Sequence, residues 1–168
     1  MKLTMGTIPV GLGEMKISSD PDDVLTIYGL GSCVGVAMYD PVVGVAGLLH
    51  AVLPEAKPGE NGSPKYVSSG IRAMLEAVIQ EGGVKRRLHI RMVGGANLLT
   101  APGHQGTFNI GARNIEIAQS TLAGLRLSVR GQEVGGNVGR TMRLYVEDGR
   151  TTVRSMGKPE RQLVDGGI

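Results

Sequence analysis

Short runs of apolar residues, many alternating with polar ones, occupy most of the chain, and this spacing is typical of strands. One run covers 24–28, and a second, over 34–39, is separated by Asp40-Pro41 from a third over 45–53. Because Asp-Pro between two such runs is a turn signal, we expect the second and third runs to form a hairpin.

Two segments instead repeat apolar residues at the spacing of a helix. We expect the first helix to begin at Ser63-Pro64, with the serine as its N-cap, and to end at Gly82-Gly83. Asn109 can cap the second helix, over roughly 110–123, and Gly124 ends it. Further strands are expected within 1–19 and at 88–92, 125–129, 140–146 and 150–155.

The last two of these strands flank Asp148-Gly149, which predicts a hairpin with a two-residue turn. Strands outnumber helices, and neighbouring strands tend to be joined by hairpins, so the fold class is predicted to be α+β. We expect a single domain over 1–157 and a polar, loosely held tail at 158–168.

The register of the first hairpin decides whether two reactive side chains meet. If residues 40–43 form the loop, Tyr39 lies opposite Gly44 and Cys33 lies directly across from His50. Directly opposed side chains have Cβ atoms about 4.5–5.5 Å apart, within reach of a hydrogen bond between a thiol and an imidazole. We therefore predict a Cys33–His50 pair on one face of the hairpin.

Composition narrows the class of partner. A chain of 168 residues with 41% hydrophobic and 20% charged residues is typical of one globular domain. The formal charge of +3 is scattered, and four Tyr with one Phe offer few stacking platforms, so no nucleic-acid binding is expected. A modest attraction to an acidic protein partner fits this charge.

A single cysteine forms no internal disulfide, and the N-terminus carries no secretory pattern, so a cytoplasmic location is expected. No apolar run approaches the roughly 20 residues that span a bilayer, so the chain is not expected to insert into a membrane.

The single cysteine itself has two interpretations. A lone cysteine is most often a small buried apolar residue, and a lone histidine on an apolar strand is most often structural. Cys33 follows directly on the loop Gly29-Leu30-Gly31-Ser32, and the hairpin brings His50 to it, which favours a nucleophile and its base. One cysteine and three separated histidines lack the spacing of a zinc site, so no metal is expected.

These residues resemble those of the CheD family of bacterial chemoreceptor glutamine deamidases. The resemblance covers most of the chain and rests on motifs in the family's order, which are Gly29-Leu30-Gly31-Ser32-Cys33-Val34, Asp40-Pro41, His50 with Leu53-Pro54, Lys65-Tyr66, Gly94-Gly95-Ala96, Asn109-Ile110-Gly111-Ala112-Arg113-Asn114 and Gly135-Gly136-Asn137. It implies a cofactor-free cysteine hydrolase that converts glutamine side chains of methyl-accepting chemotaxis receptors to glutamate and releases ammonia. It also implies packed mixed β-sheets flanked by helices, like the deamidase domain of cytotoxic necrotising factor toxins, and a CheC-type phosphatase as a further partner.

The resemblance maps the nucleophile onto Cys33 and the base onto His50. The family's third catalytic residue, a threonine, maps onto Ile27, whereas Thr26 is the neighbouring residue. Adjacent residues of a regular strand point to opposite faces, so Thr26 replaces it only if the strand shifts or bulges. Otherwise another group orients His50, or a backbone carbonyl and packing hold it.

The remaining site residues are predicted from backbone geometry. Backbone N–H groups around Ser32 and Cys33 are expected to stabilise the oxyanion. The glycine loops at Gly94-Gly95 and Gly135-Gly136 lack side-chain bulk and are expected to shape the substrate groove. The predicted substrate-binding residues are Gly31, Ser32, Gly94, Gly95, Gly136 and Asn137. Two alternatives stay open, a non-catalytic adaptor that binds receptors or CheC, and a transglutaminase in which an amine replaces water.

Overall fold

The computed structural model describes residues 6–59, 62–98 and 109–166. The sequence predicts that His104, in the Pro102-Gly103 loop, is an exposed structural residue, and it lies outside the described residues. Its strands and helices are, in chain order, β1 (Gly6–Pro9), β2 (Met15–Ser18), β3 (Asp23–Leu30), β4 (Val34–Asp40), β5 (Val45–Ala51), α1 (Val67–Gln80), β6 (His89–Gly94), α2 (Ile110–Gly124), β7 (Val129–Val134), β8 (Arg140–Tyr145), β9 (Thr151–Ser155) and β10 (Arg161–Gln162).

Within the described ranges the strands form two five-stranded sheets, ordered β1-β3-β8-β9-β10 and β2-β5-β4-β6-β7. Both sheets are mixed, because β1 runs parallel to β3 and β6 runs parallel to β7 while the other pairs are antiparallel. The predicted α+β class with packed mixed sheets is confirmed. Two strands, β1 and β2, form within the region 1–19 where strands are predicted, and each lies at the edge of a sheet.

Two apolar clusters hold these layers together. One lies between the sheets and includes Ile27, Leu48 and Met142, all fully buried. The other lies between the second sheet and the two helices and includes Met74 and Ile90. The helices therefore cover one face of the second sheet, and its opposite face packs on the first sheet.

The β4–β5 hairpin differs by two residues from the predicted register. Its loop is 41–44 rather than 40–43, so Asp40 pairs with Val45 and His50 lies opposite Gly35, not Cys33. Gly44 closes the loop with φ +72° and donates its N–H to the Asp40 carbonyl at 2.8 Å. A left-handed backbone at this glycine excludes it from the strand, which moves every pair along by two positions.

The β8–β9 hairpin is built in the same way. Leu144 pairs with Thr151, and Gly149, with φ +76°, donates its N–H to the Tyr145 carbonyl at 2.7 Å. The predicted two-residue turn at Asp148-Gly149 is wrong, because both residues belong to a longer loop that the glycine closes.

The helix boundaries agree with the sequence at three of four ends. Asn109 Oδ1 accepts the N–H of Ala112 at 2.9 Å, which confirms the predicted cap of α2, and that helix ends at Gly124. Helix α1 ends at Gln80, just before the predicted glycines. It begins at Val67 rather than at Ser63, and Tyr66 at its N-cap position makes no side-chain capping hydrogen bond.

Two other predictions about the second half of the chain are wrong. Strand β7 begins at Val129 rather than at 125, because α2 is followed by Arg126 with φ +60°, a left-handed residue that ends regular structure. The tail is not loose over 158–166, because β10 pairs with β9 and Leu163 is buried between the sheets.

Candidate active site

Cys33 and His50 lie on the same face of the hairpin. Gly35 pairs with His50, and Cys33 precedes Gly35 by two residues, so Cys33 is the diagonal neighbour of His50. Diagonal neighbours on one face are about 7–8 Å apart at Cα and remain within reach of long side chains. This face is the one directed at the first sheet, where Cys33 packs against the apolar cluster between the sheets. The shared face is as predicted, and the direct opposition is not.

The imidazole of His50 is oriented by a backbone carbonyl. Its Nδ1 lies 3.0 Å from the carbonyl oxygen of Val10. A carbonyl oxygen only accepts, so Nδ1 carries the proton and donates it, and Nε2 presents its lone pair. Nε2 is buried and has no hydrogen-bond partner within the described residues. A buried imidazole in this tautomer is prepared to accept a proton.

The β1–β2 connection also holds the backbone of His50. The His50 carbonyl accepts the N–H of Gly13 at 2.9 Å, and the His50 N–H is donated to the carbonyl of Glu14 at 2.9 Å. Val10, which binds the ring, belongs to the same connection between the edge strands of the two sheets. Backbone and side chain of His50 are therefore fixed by one segment.

The turn that follows β6 binds the loop around Cys33. Gly95 donates its N–H to the Cys33 carbonyl at 2.8 Å, and Ala96 donates to the Gly31 carbonyl at 2.8 Å. The N–H groups of Ser32 and Cys33 have no hydrogen bond to another residue in the parts of the chain that the structure describes. With the carbonyls held on one side, these N–H groups are available to an oxyanion.

Helix α2 completes this support through Asn114. Its Nδ2 donates to the Ser32 carbonyl at 2.8 Å and to the Val52 carbonyl at 3.0 Å. Ser32 precedes Cys33 and Val52 lies two residues after His50, so one amide joins the two strand ends that carry the pair. Asn114 is fully buried.

Gly94 and Gly95 are packing positions against this loop. Gly94 has φ +115°, and a Cβ there would collide with the Cys33 carbonyl oxygen. Gly95 has φ +67°, and a Cβ there would collide with Ile115 on α2. Both glycines are buried, so their observed contacts are with the Cys33 loop and α2. Their role in shaping a groove stays a prediction.

A cavity of about 330 Å³ opens beside Ser32. Its other lining residues are Ala96, Asn97, Leu98, Asn109, Ile110 and Gly111. Gly136 accepts the N–H of Asn97 at 2.9 Å, which ties the second glycine turn to this cavity, and Asn137 is exposed next to it in sequence.

Burial keeps both members of the pair neutral. It raises the pKa of the Cys33 thiol above its ordinary value, partly offset by the backbone N–H of Cys33 itself. It lowers the pKa of His50, against the hydrogen bond to Val10 and the charge of Glu14. Both directions follow from the cost of a charge away from water. The two residues are therefore a neutral thiol and a neutral imidazole in the resting protein.

The structure does not bring Thr26 to His50. The Thr26 hydroxyl donates to the carbonyl of Val24 at 3.2 Å, and its strand is regular there, with Thr26 paired to Arg143 and Ile27 to Met142. The Ile27 side chain points into the space between the two sheets. The adjacent Thr26 side chain therefore points to the opposite face of the first sheet, away from that space. Of the two open alternatives for orienting His50, the structure contains the backbone carbonyl.

Two site residues escaped the sequence analysis. The Val10 carbonyl has no side-chain signal, because every residue has a backbone carbonyl. Asn114 had one, since it shares a helical stripe with Ile117, Ala118 and Thr121, which are all buried. An asparagine within an apolar stripe needs buried acceptors for its amide.

Two absences concern the described ranges alone. No helix there combines the length and apolarity of a membrane span. No group of three or more His, Cys, Asp or Glu residues lies together there in a way that could hold a metal ion.

One solved structure that the chain matches is a distant one. A crystal structure of a Bacillus licheniformis hypothetical protein, YfiH, aligns with a TM-score of 0.41 and 15% sequence identity, over 71% of this chain and 57% of that one.

Sequence comparisons are much closer. A probable chemoreceptor glutamine deamidase CheD of Symbiobacterium thermophilum is 41% identical over 157 residues, 92% of this chain and 95% of the relative. A protein of the same name from Pyrococcus horikoshii is 36% identical over 154 residues, 90% of this chain and 94% of the relative. The family model described as CheD chemotactic sensory transduction matches residues 52–155. The chain therefore belongs to the CheD family.

Proposed function

We propose that this protein hydrolyses glutamine side chains of chemoreceptors to glutamate, with Cys33 as nucleophile and His50 as base. The names of its relatives support the substrate and the reaction. The observation that carries the residue assignment is the buried, unpartnered Nε2 of His50 on the face that Cys33 shares. A lone pair in that place is able to accept the thiol proton of Cys33.

Attack begins with transfer of the Cys33 thiol proton to Nε2 of His50. The sulfur forms a bond to the carboxamide carbon of the glutamine, and the C=O π electrons move to oxygen. The N–H groups of Ser32 and Cys33 bind this oxyanion. The hydrogen bond from Nδ1 to Val10 stabilises the imidazolium while it exists.

Collapse of the tetrahedral intermediate breaks the C–N bond, and His50 returns the proton to the departing nitrogen, so ammonia leaves. The resulting thioester is attacked by a water molecule whose proton His50 accepts. The C–S bond then breaks and His50 returns its proton to the sulfur, which gives glutamate and the free thiol. The protein contributes Cys33, His50 and backbone N–H groups to the proposed reaction. Water is the second reactant, and no cofactor takes part.

The cavity beside Ser32 is the proposed site for the glutamine. Four of its seven lining residues are apolar or glycine, and one of these, Leu98, is 55% exposed. Such a lining suits the methylene groups of a glutamine whose carboxamide reaches the N–H groups of the Cys33 loop. The product carries a charge that the substrate lacks, which favours its departure.

Mass spectrometry of a purified receptor cytoplasmic domain, with ammonia measured in parallel, tests the proposal. Wild type should convert particular glutamines, Cys33→Ala should convert none, and His50→Gln should be slower by about 10²–10⁴-fold. His89→Gln is the matched control, because His89 lies at the start of β6, outside the site, and should keep wild-type activity. Conversion by Cys33→Ala would refute the assignment.

Ile27 occupies the position that the resemblance assigns to a catalytic threonine. This difference favours a second candidate function, an adaptor without turnover that binds receptors or a CheC-type phosphatase. Receptor binding without ammonia release would establish it. Incorporation of a primary amine into the receptor glutamine would instead establish the transglutaminase. The proposal also includes a cytoplasmic location. It further includes a fold like that of the deamidase domain of cytotoxic necrotising factor toxins, and superposition of the two structures tests this fold resemblance.

A further inference from the structure

We propose that Asn114 is a positioning residue, which sets the distance between Cys33 and His50 by joining the ends of their strands. This inference deepens the proposed function and rests on the roles given there to Cys33 and His50. It concerns a side chain whose hydrogen bonds within the described residues go to the neighbouring segments rather than to Cys33 or His50.

The β4–β5 ladder ends at the pair Val34 and Ala51. Beyond that pair the two strands need separate partners, and Val52 donates its N–H away from the ladder, to the carbonyl of Lys65 at 2.8 Å. The carbonyls of Ser32 and Val52 both face Asn114, and two carbonyls cannot bond each other. A primary amide nitrogen has two donors, so Asn114 replaces the missing ladder contact with a link between two acceptors.

The orientation of the amide follows from these partners. Reversed, its oxygen would face two carbonyl oxygens, so Nδ2 must be the atom between them. This orientation leaves Oδ1 buried and without a partner within the described residues. A buried acceptor without a partner lowers the stability of the fold. The two donor contacts therefore indicate that Asn114 serves to link the strand ends rather than to stabilise the core.

Helix α2 gives the link a rigid base. Asn109 caps the helix, and Gly111 lies so close to Gly95 and Ala96 that a Cβ there would collide with their carbonyl oxygens. The same turn holds the Cys33 carbonyl. A change at Asn114 therefore leaves the helix and the turn in place and releases only the two strand ends.

The test compares Asn114→Leu, which is similar in size and has no donor, with Leu122→Ala as control. Leu122 is 1% exposed on the same helix and lies away from the two carbonyls, so its truncation reproduces a loss of stability alone. We expect Asn114→Leu to lower kcat by about 100-fold with KM unchanged, because small misplacements of reacting groups cost that much. A rise in KM, or a loss of kcat no larger than that of Leu122→Ala, would overturn the inference.

A second measurement needs no receptor. Cys33 is the only cysteine, so the rate of alkylation by iodoacetamide reports on it alone. In wild type, His50→Gln should slow alkylation at neutral pH, and in the Asn114→Leu background it should make no difference. Persistent dependence on His50 in that background, or none in wild type, would overturn the inference. Loss of this dependence in a protein that deamidates no receptor would support the link and refute the proposed function separately.

Discussion

Nδ1 of His50 donates a hydrogen bond to the carbonyl oxygen of Val10 across 3.0 Å, between residues that lie forty positions apart. In this family a threonine is expected to orient the histidine, and here Ile27 occupies that position. The backbone contact does what a threonine hydroxyl would do, since either acceptor holds the proton on Nδ1 and leaves Nε2 free. The proposed reaction therefore does not depend on a threonine at position 27.

The first prediction concerns Ile27→Thr. Ile27 is fully buried between the sheets, so a hydroxyl there should lower the free energy of unfolding by about 1–3 kcal/mol. Because Val10 already occupies Nδ1, deamidation at a temperature where both proteins are folded should not become faster. Chemical denaturation and ammonia release measure the two effects, with Ile27→Val as the control for lost volume. A marked gain in rate would show that His50 lacks an orienting group.

The second prediction concerns pH. The pKa of His50 is lowered from 6.5, so the acidic limb of kcat/KM, on which the base becomes protonated, should lie below pH 6.5. The pKa of Cys33 is raised from 9.0, so alkylation of the thiol should continue to rise with pH above 9.0. Rates measured across this range would contradict a neutral pair if alkylation reached its plateau near neutrality, because such a plateau is the sign of a preformed thiolate.

The third prediction separates backbone strain from displacement of the nucleophile. Gly94→Ala forces a side chain into a left-handed residue and against the Cys33 carbonyl. Gly135 has φ +81° with open space at its Cβ, so Gly135→Ala has the backbone cost alone, about 1–3 kcal/mol. Both variants should lose stability, and only Gly94→Ala should also lose kcat in excess of its unfolded fraction. Equal activity per folded molecule in the two variants would show that Gly94 does not position the Cys33 loop.

The fourth prediction concerns Asp40 and acid stability. Burial alone would raise its pKa, but hydrogen bonds from Arg87 and from the N–H groups of Val84, Val42 and Val43 outweigh burial and lower the pKa from 3.8 to about 2. A lowered pKa in the folded state adds stability that is present above pH 3.8 and is lost as the pH falls towards about 2.

Asp40→Asn should therefore lower the free energy of unfolding by about 1–3 kcal/mol at pH 7, and the deficit should shrink towards pH 2. Denaturation curves at several pH values measure this. Asp148→Asn is the control, since Asp148 lies in the other hairpin loop with its side chain 51% exposed, and it should change little. A deficit that is constant with pH would rule out the carboxylate as its source.

The sequence best predicts the structural features that depend on interactions between residues close together in the chain. Helix α2 has its cap at Asn109 and its end at Gly124, and both ends agree with the structure because capping is a local interaction. The hairpin that carries the site is predicted with the right face and the wrong pairing. A shift of two residues keeps the side-chain alternation, so Cys33 and His50 still share a face although Gly44, in a left-handed conformation, moves the pairing.

What the sequence could not predict is the support of the site from distant segments. The orienting group of His50 is a main-chain oxygen in the β1–β2 connection, forty positions away. The link at Asn114 joins helix α2 to two residues that precede Asn114 by 82 and 62 positions, Ser32 and Val52. Neither contact follows from a local pattern. Asn114 was detectable as a polar residue on a buried helical stripe, but its acceptors were not.

The carbonyl that orients His50 belongs to the crossover between the outermost strand of one sheet and the outermost strand of the other. All amino acids retain this oxygen, so point mutation at Val10 cannot delete it. Fraying of either short edge strand can withdraw it, and edges open at much lower free energy than cores. The proposed role of His50 as base is therefore tied to the pairing of these edge strands, because their fraying removes the acceptor that holds the proton on Nδ1.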